Sequence, residues 1–289
     1  MGQIIWLASY PKSGNTWLRA FLHNYLRRPA EPYDINRLSD FTVAENDAAH
    51  FELHAPGPAS AYSIEQVQRL RPLVHRDLTQ AFPDLVFVKT HNAVGNAAGR
   101  PLLTPEVTAG AIYMLRDPRD IAISYSRHTG LSLDATIAFM AEPGAAAGGD
   151  DSKVFEQLGT WSGHVLSWTP VLHPRLLTLR YEDMLDDPRH SFGKVVRFLG
   201  GEPPPDRLER AIGFSSFATL RTQEQSHGFV ERPATSSAFF RAGQARQWRE
   251  ALSRAQISRI ERDHGDQMRR FGYLPGLDSD DFRSNRPNV

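Results

Sequence analysis

The stretch WLASYPKSGNTWLRAFL, Trp6 to Leu22, decides how the rest of the chain is read. Apolar Ile4 to Ala8 has the length of a buried strand. SYPKSGN then breaks the pattern, and Trp17, Leu18, Phe21, Leu22, Tyr25 and Leu26 recur at helical spacing. Strand, tight turn and helix therefore follow one another. The turn sets Lys12, Ser13, Gly14, Asn15 and Thr16 at a helix N-terminus, where backbone N–H groups and the helix dipole favour an anion. It is not a Walker A loop, in which the lysine follows a glycine-framed turn; here Lys12 precedes the only glycine, Gly14. On these residues alone, a phosphate site and an ordinary strand-to-helix turn with an exposed lysine are both open.

The same grammar returns along the chain. LVFVKTHN, Leu85 to Asn92, reads as a strand ending in polar residues, and Ala111 to Leu115 as another, after which Asp117 suits an N-cap and Pro118 the first helical position. RLLTLRYEDM holds a fourth strand, and a helix follows around HSFGKVVRFLG. Strands alternating with helices imply an α/β fold with a central, mainly parallel sheet flanked by helices on both faces. Ligands gather beyond the carboxyl ends of such strands. All 289 residues are read as one unit. Three weakly patterned regions, Pro29 to Ser63, Glu142 to Ser152 and Thr222 to Phe239, are expected to be surface loops, the last of them a mobile lid. An amphipathic helix is expected from about Arg254 to Phe271, and the tail after Gly272 is expected to fray.

Composition narrows the function. Thirty-three basic residues balance thirty-three acidic ones, which argues against a nonspecific nucleic-acid surface while leaving local basic pockets open. With no cysteine there is no disulfide, thiolate nucleophile or cysteine zinc site, and the chain suits a reducing cytoplasm. IIWLA is too short to span a bilayer and lacks the flanks of a secretory signal, so a cytoplasmic protein without a membrane span is expected. No H-E-x-x-H or G-x-S-x-G motif is present, and no metal is expected.

Further residues carry chemistry. Arg116 ends a strand, where its guanidinium can fork onto a phosphate, and Ser124 lies about two helical turns on. The rival reading pairs Arg116 with Asp117 or Asp120 and packs Ser124 away. His91, just past a strand, is either a hydrogen-bonded core residue or a base.

Taken together, these motifs resemble those of the sulfotransferase family. YPKSGNTW is similar to the family's YPKSGTTW, with Asn15 the one departure; LRDPRDIAISYSRH resembles its 3′-phosphate element, and KTH, Lys89 to His91, its catalytic segment. The resemblance implies a P-loop-like core and 3′-phosphoadenosine-5′-phosphosulfate (PAPS) as sulfuryl donor, leaving adenosine 3′,5′-bisphosphate (PAP). It further implies a small-molecule acceptor bearing a hydroxyl or amine. It implies that Lys12 contacts the bridging oxygen and 5′-phosphate, that Ser13, Gly14, Asn15 and Thr16 bind that phosphate, and that Trp17 stacks on adenine. Arg116 and Ser124 would bind the 3′-phosphate, Lys89 would stabilise the transferring group, and His91 would be the general base. YEDM carries Tyr181 to the adenine, and Ser215 falls where the family often has an adenine-contacting threonine. FFRAGQARQW resembles a late R-K-G-x-x-G-D-W segment: Arg241, Gly243 and Trp248 match, whereas Ala242, Arg246 and Gln247 depart, with Arg246 a candidate to replace the charge lost at Ala242.

Two rivals stand beside this reading. A nucleotide kinase shares the first turn but needs a Walker A lysine and an aspartate for Mg²⁺. A non-catalytic nucleotide-binding module would keep the fold without turnover. Phe41, Phe51, Phe139 and Phe229 are candidates for an apolar acceptor wall, though core packing accounts for each of them as well. Nothing in the pattern sets the oligomeric state.

Overall fold

The computed structural model describes residues 2–80, 84–170 and 173–275. Its centre is a five-stranded sheet of β1 (Gln3–Ser9), β2 (Thr42–Ala44), β3 (Leu85–Thr90), β4 (Thr108–Leu115) and β5 (Leu176–Arg180), in the order β2-β3-β1-β4-β5. Every pairing is parallel. The two-residue period of a strand sends Ile4, Trp6 and Ala8 to one face and Ile5 and Leu7 to the other, and both sets are buried. This is why the apolar run is continuous rather than alternating.

Helices cover both faces. β1 leads into α1 (Asn15–Arg27); β2 leads into α2 (Ala48–Glu52) and α3 (Ile64–Gln80); β4 leads into α4 (Pro118–Thr129), α5 (Leu133–Met140) and α6 (Trp161–Trp168). After β5 come α7 (Tyr181–Asp186), α8 (Pro188–Phe198), α9 (Pro205–Phe214), α10 (Phe217–His227), the single turn α11 (Trp248–Ala251) and α12 (Arg254–Arg270). Val67, Leu70, Val74 and Leu78 of α3, with Ile121, Trp161, Val165, Ile260 and Met268, pack on the Trp6 face. Leu18, Phe21, Leu22 and Tyr25 of α1, with Phe192, Val195 and Leu208, pack on the Leu7 face. A third cluster of Ala20, Ile35, Leu38, Leu220, Phe229 and Phe240 joins the segment after α10 to α1.

The α/β layering agrees with the sequence pattern, and Asp117 caps α4 by accepting from the Arg119 N–H with Pro118 following. The loop assignments need correction. Residues 29–63 contain a 3₁₀ turn (Ile35–Asp40), the edge strand β2 and α2. Thr222 to His227 is the second half of α10, so the irregular segment starts at Gly228. Residues 142–152 enter a small hairpin in which Ala146–Ala147 pairs with Glu156–Gln157. The tail expectation falls, beyond residue 275, outside the described residues.

A buried polar frame fixes the end of β3. Arg71 of α3 pairs with Glu45, which also accepts from Asn92 Nδ2 at 2.9 Å and faces His75 Nε2 at 3.3 Å. All of these side chains are buried, so the charge is enclosed with its partner rather than left alone.

Candidate active site

Lys12 opens the turn after β1 with a left-handed φ of 68°, and Gly14 follows at φ 101°. Gly14 has no room for a side chain, since a Cβ there would lie 2.8 Å from Tyr181 Cδ2. Gly14→Ala combines that clash with a disfavoured backbone, so it is expected to lower unfolding free energy by about 1–3 kcal/mol, read from urea melts. α1 then begins with no acidic residue in its first turn and no side-chain cap. Its leading N–H groups are left for an anion.

The parallel register puts the ends of β1, β3 and β4 side by side, and one cavity of about 530 Å³ opens above them. Of the residues to which the resemblance assigns donor binding or catalysis, Lys12, Gly14 to Trp17, Lys89, His91, Arg116, Ser124, Tyr181, Arg241 and Gly243 line it, and Ser13 and Ser215 do not. Ser13 is buried beneath the turn, its Oγ without a partner. Ser215 is displaced for a local reason: its hydroxyl donates to the Ala211 carbonyl at 2.8 Å, so it closes the end of α9 instead of facing a ligand.

Cationic side chains converge from several elements. Burial, with the like charges of Lys89 and Arg116, brings the Lys12 pKa down to about 7. Its Nζ lies 4.0 Å from the Phe239 ring centroid and 3.4 Å from His128 Nδ1. Arg116 is paired with neither Asp117 nor Asp120: its guanidinium donates to the carbonyls of Lys12 at 3.0 Å and Gln244 at 3.2 Å, and lies 4.3 Å from the Tyr181 ring centroid. Asp117 instead binds Arg119, and Asp120 accepts from the N–H groups of Arg246 and Trp248. Ser124 lines the same cavity with Arg241 and Gly243.

Arg127, which the sequence reading passed over, lines it too, and burial together with the like charge of Arg241 lowers its pKa. It stands three residues after Ser124 on α4, so helical periodicity was the signal that could have found it. Arg246, the candidate to replace the charge lost at Ala242, is not among the residues that line this cavity. Its side chain lines a neighbouring hollow with Trp248 and Arg249. Trp17 meets Tyr181 edge to face, with ring centroids 5.8 Å apart, at the opposite end of the turn.

His91 is held from both sides. Its Nδ1–H donates to the Ser9 carbonyl at 2.7 Å, which leaves Nε2 as the unprotonated nitrogen, and its backbone N–H donates to Glu156 Oε1 at 2.6 Å. Burial, then the Lys89 charge, lowers its pKa well below the ordinary imidazole value. Glu156 also accepts from Asn46 Nδ2 at 2.8 Å, and burial beside Glu45 raises its pKa to about 7.

The four phenylalanines considered for an acceptor wall do not line the cavity; Phe217, Phe239 and Phe240 do. Among the described residues no cluster of three or more His, Asp or Glu side chains is arranged to hold a metal ion. No helix among them is long and apolar enough to cross a membrane.

Comparison with known proteins places this geometry. The chain is 27% identical over 270 residues to Sulfotransferase 1B1 of the dog, Canis lupus familiaris, spanning 88% of this chain and 80% of that one. It is 23% identical over 276 residues to Sulfotransferase 1A1 of the same species, spanning 92% and 83%. The solved structure of retinol dehydratase in complex with androsterone and the inactive cofactor PAP matches with a TM-score of 0.62 at 21% identity, over 92% of this chain and 80% of that one. The family model described as the sulfotransferase domain matches residues 3–272, nearly the whole chain, so the chain belongs to the sulfotransferase family and is an enzyme of that family.

Proposed function

We propose that the protein transfers a sulfuryl group from PAPS to a hydroxyl or amine of a small polar acceptor, with His91 as general base. The observation that carries this is the gathering of Lys12, Lys89, His91, Arg116 and Ser124 around one cavity, with His91 Nε2 unprotonated. The residues present suit an adenosine bisphosphate at two separate points. Lys12 and the N-terminus of α1 would hold the 5′-phosphate, while Arg116, Ser124, Arg127 and Arg241 would hold the 3′-phosphate. Trp17 and Tyr181 would flank the base. Buried polar atoms of residues that line the cavity, Asn15 Oδ1, Trp17 Nε1 and Arg116 Nε, have no partner among the described residues, which fits groups that meet a ligand. A related structure, retinol dehydratase, was solved with PAP.

When bound, PAPS supplies the sulfuryl group. His91 Nε2 takes the proton from the acceptor hydroxyl or amine as it attacks sulfur. Lys12 holds positive charge against the departing phosphate oxygen, and Lys89 against the oxygens of the group in transit. The wall beyond His91 carries Asn46, Lys153 and Glu156, which favours a polar acceptor over an apolar one.

The test is ligand stabilisation followed by turnover. PAP at a hundred times its Kd should stabilise the protein by about 2.7 kcal/mol, and ATP with Mg²⁺ by much less. Sulfated product, read by mass spectrometry across an acceptor panel, should then appear with PAPS. Preference for ATP would restore the kinase alternative, and PAP binding without product across the panel would favour the non-catalytic one.

A further inference from the structure

The chain contains four lysines, Lys12, Lys89, Lys153 and Lys194, and the first three line the catalytic cavity. Apart from Lys194, every basic residue of the chain outside that cavity is an arginine or a histidine. The surroundings of Lys89 are therefore worth following beyond the reactive groups already named.

Lys89 sits at the end of β3 with a side chain only 17% exposed, and positive charge faces it from several elements. Arg19 approaches from α1, Lys12 from the turn after β1, and Lys153 from the connection between the hairpin strands. On the acidic side, Glu156 of the hairpin is engaged by Asn46 and the His91 N–H. His91 itself follows Lys89 two residues on, neutral and held by Ser9.

Among the described residues one carboxylate stands within ion-pair reach of Lys89 Nζ: Glu231 Oε2, at 4.0 Å. It comes from the irregular segment after α10. Its other oxygen accepts from Arg19 Nη1 at 2.6 Å, and Arg19 is itself fixed, 1% exposed, with Nε donating to Thr42 Oγ1 at 2.9 Å. The segment is pinned on either side of this contact. Val230 N–H donates to Asn36 Oδ1 at 2.8 Å, and the Phe239 and Phe240 N–H groups donate to Glu224 at 2.7 and 2.8 Å.

We propose that Glu231 is a positioning residue that holds the Lys89 ammonium charged and aimed into the reacting centre, and is itself held there by Arg19. The catalytic purpose of the arrangement rests on the sulfotransferase reading; the Arg19–Glu231–Lys89 geometry does not. An isolated cavity carboxylate would have to be desolvated without compensation, whereas Glu231 is compensated on both oxygens. Lys89, for its part, would lose its proton more readily if the surrounding cations and burial acted unopposed.

The test reads Lys89 directly. In the full chain labelled with ¹⁵N-lysine, four Nζ resonances are expected, and Lys89→Arg identifies its own by loss. Glu231→Gln is expected to move the Lys89 titration midpoint down by about one pH unit. Glu231→Asp, which keeps the charge but withdraws it by one methylene, should fall between that variant and wild type. Titrations with and without PAP separate the two readings: a wild-type protein indifferent to PAP fails the sulfotransferase reading, while the midpoint still decides the role of Glu231. A folded Gln variant with an unmoved Lys89 midpoint overturns the proposal. If the Gln variant does not fold, the Asp variant decides by the same criterion.

Discussion

Replacing His91 with alanine is expected to lower kcat by about a thousandfold while PAP still raises the melting temperature of the variant. General base catalysis by a positioned side chain is worth roughly 10²–10⁴ in rate, and His91 is the cavity imidazole whose Nδ1–H is held by the Ser9 carbonyl with Nε2 left unprotonated. The other cavity histidine, His128, lies against Lys12, and its pKa is brought down to about 3 by burial and that charge. The sign of the pH dependence follows from the direction of the shift. Because the His91 pKa is lowered well below 6.5, the ring is neutral and competent throughout the range from pH 6 to 8, and its acid limb in kcat belongs well below that range. Single-turnover sulfation across pH measures both quantities. Wild-type activity in His91→Ala would remove His91 as the base, and a limb at the ordinary imidazole value would mean that the burial seen here is relieved when substrates bind.

The sheet was legible because each strand is an apolar run closed by polar residues, and because a parallel sheet covered on both faces leaves no polar alternation to confuse the reading. β2 escaped notice for the opposite reason: three residues at an edge, Thr42–Ala44, are too few to show a period. Thr222 to His227 looked irregular because only Leu220 and Glu224 of α10 are buried, so the helix carries no apolar stripe. Ser215 illustrates a competing use of the same chemistry, since small hydroxyl residues serve helix ends as readily as ligands; its neighbour Ser216 caps α10 by accepting from the Thr219 N–H.

The cavity was legible where its residues share a motif with a strand end, as Lys12, Lys89, His91 and Arg116 do. It was hidden where a partner arrives from afar. Glu156 meets His91 across 65 positions and Glu231 meets Arg19 across 212, distances over which local patterning carries no information. These two carboxylates are the ones that contact Lys89 and His91, so the electrostatics of the cavity depended on the fold even where its motif residues did not. A motif can name the cation and the base. Only packing shows how much of their charge is opposed.

Lys12→Ala is expected to weaken PAP binding about a hundredfold and to lower the sulfation rate as well, because truncating one partner of a buried charge pair typically costs 2–5 kcal/mol. Its diagnostic value lies in pH. In the free protein burial and the charges of Lys89 and Arg116 hold Lys12 near a pKa of about 7, and an anion beside Nζ must raise that value. Above pH 7 binding therefore draws in a proton, and wild-type affinity for PAP should fall with rising pH by up to about tenfold per unit. Lys12→Arg keeps the charge at every pH tested, so it should retain part of the affinity and lose the slope. In Lys12→Ala the part of the slope that comes from the titrating amine should vanish. Calorimetric titrations in buffers of different ionisation enthalpy measure the proton uptake directly. Glu156 of the same cavity, raised to about 7 by burial and Glu45, also becomes anionic as pH rises and would disfavour an anionic ligand. The remaining slope in Lys12→Ala is expected from Glu156, and Glu156→Gln in that background should abolish it.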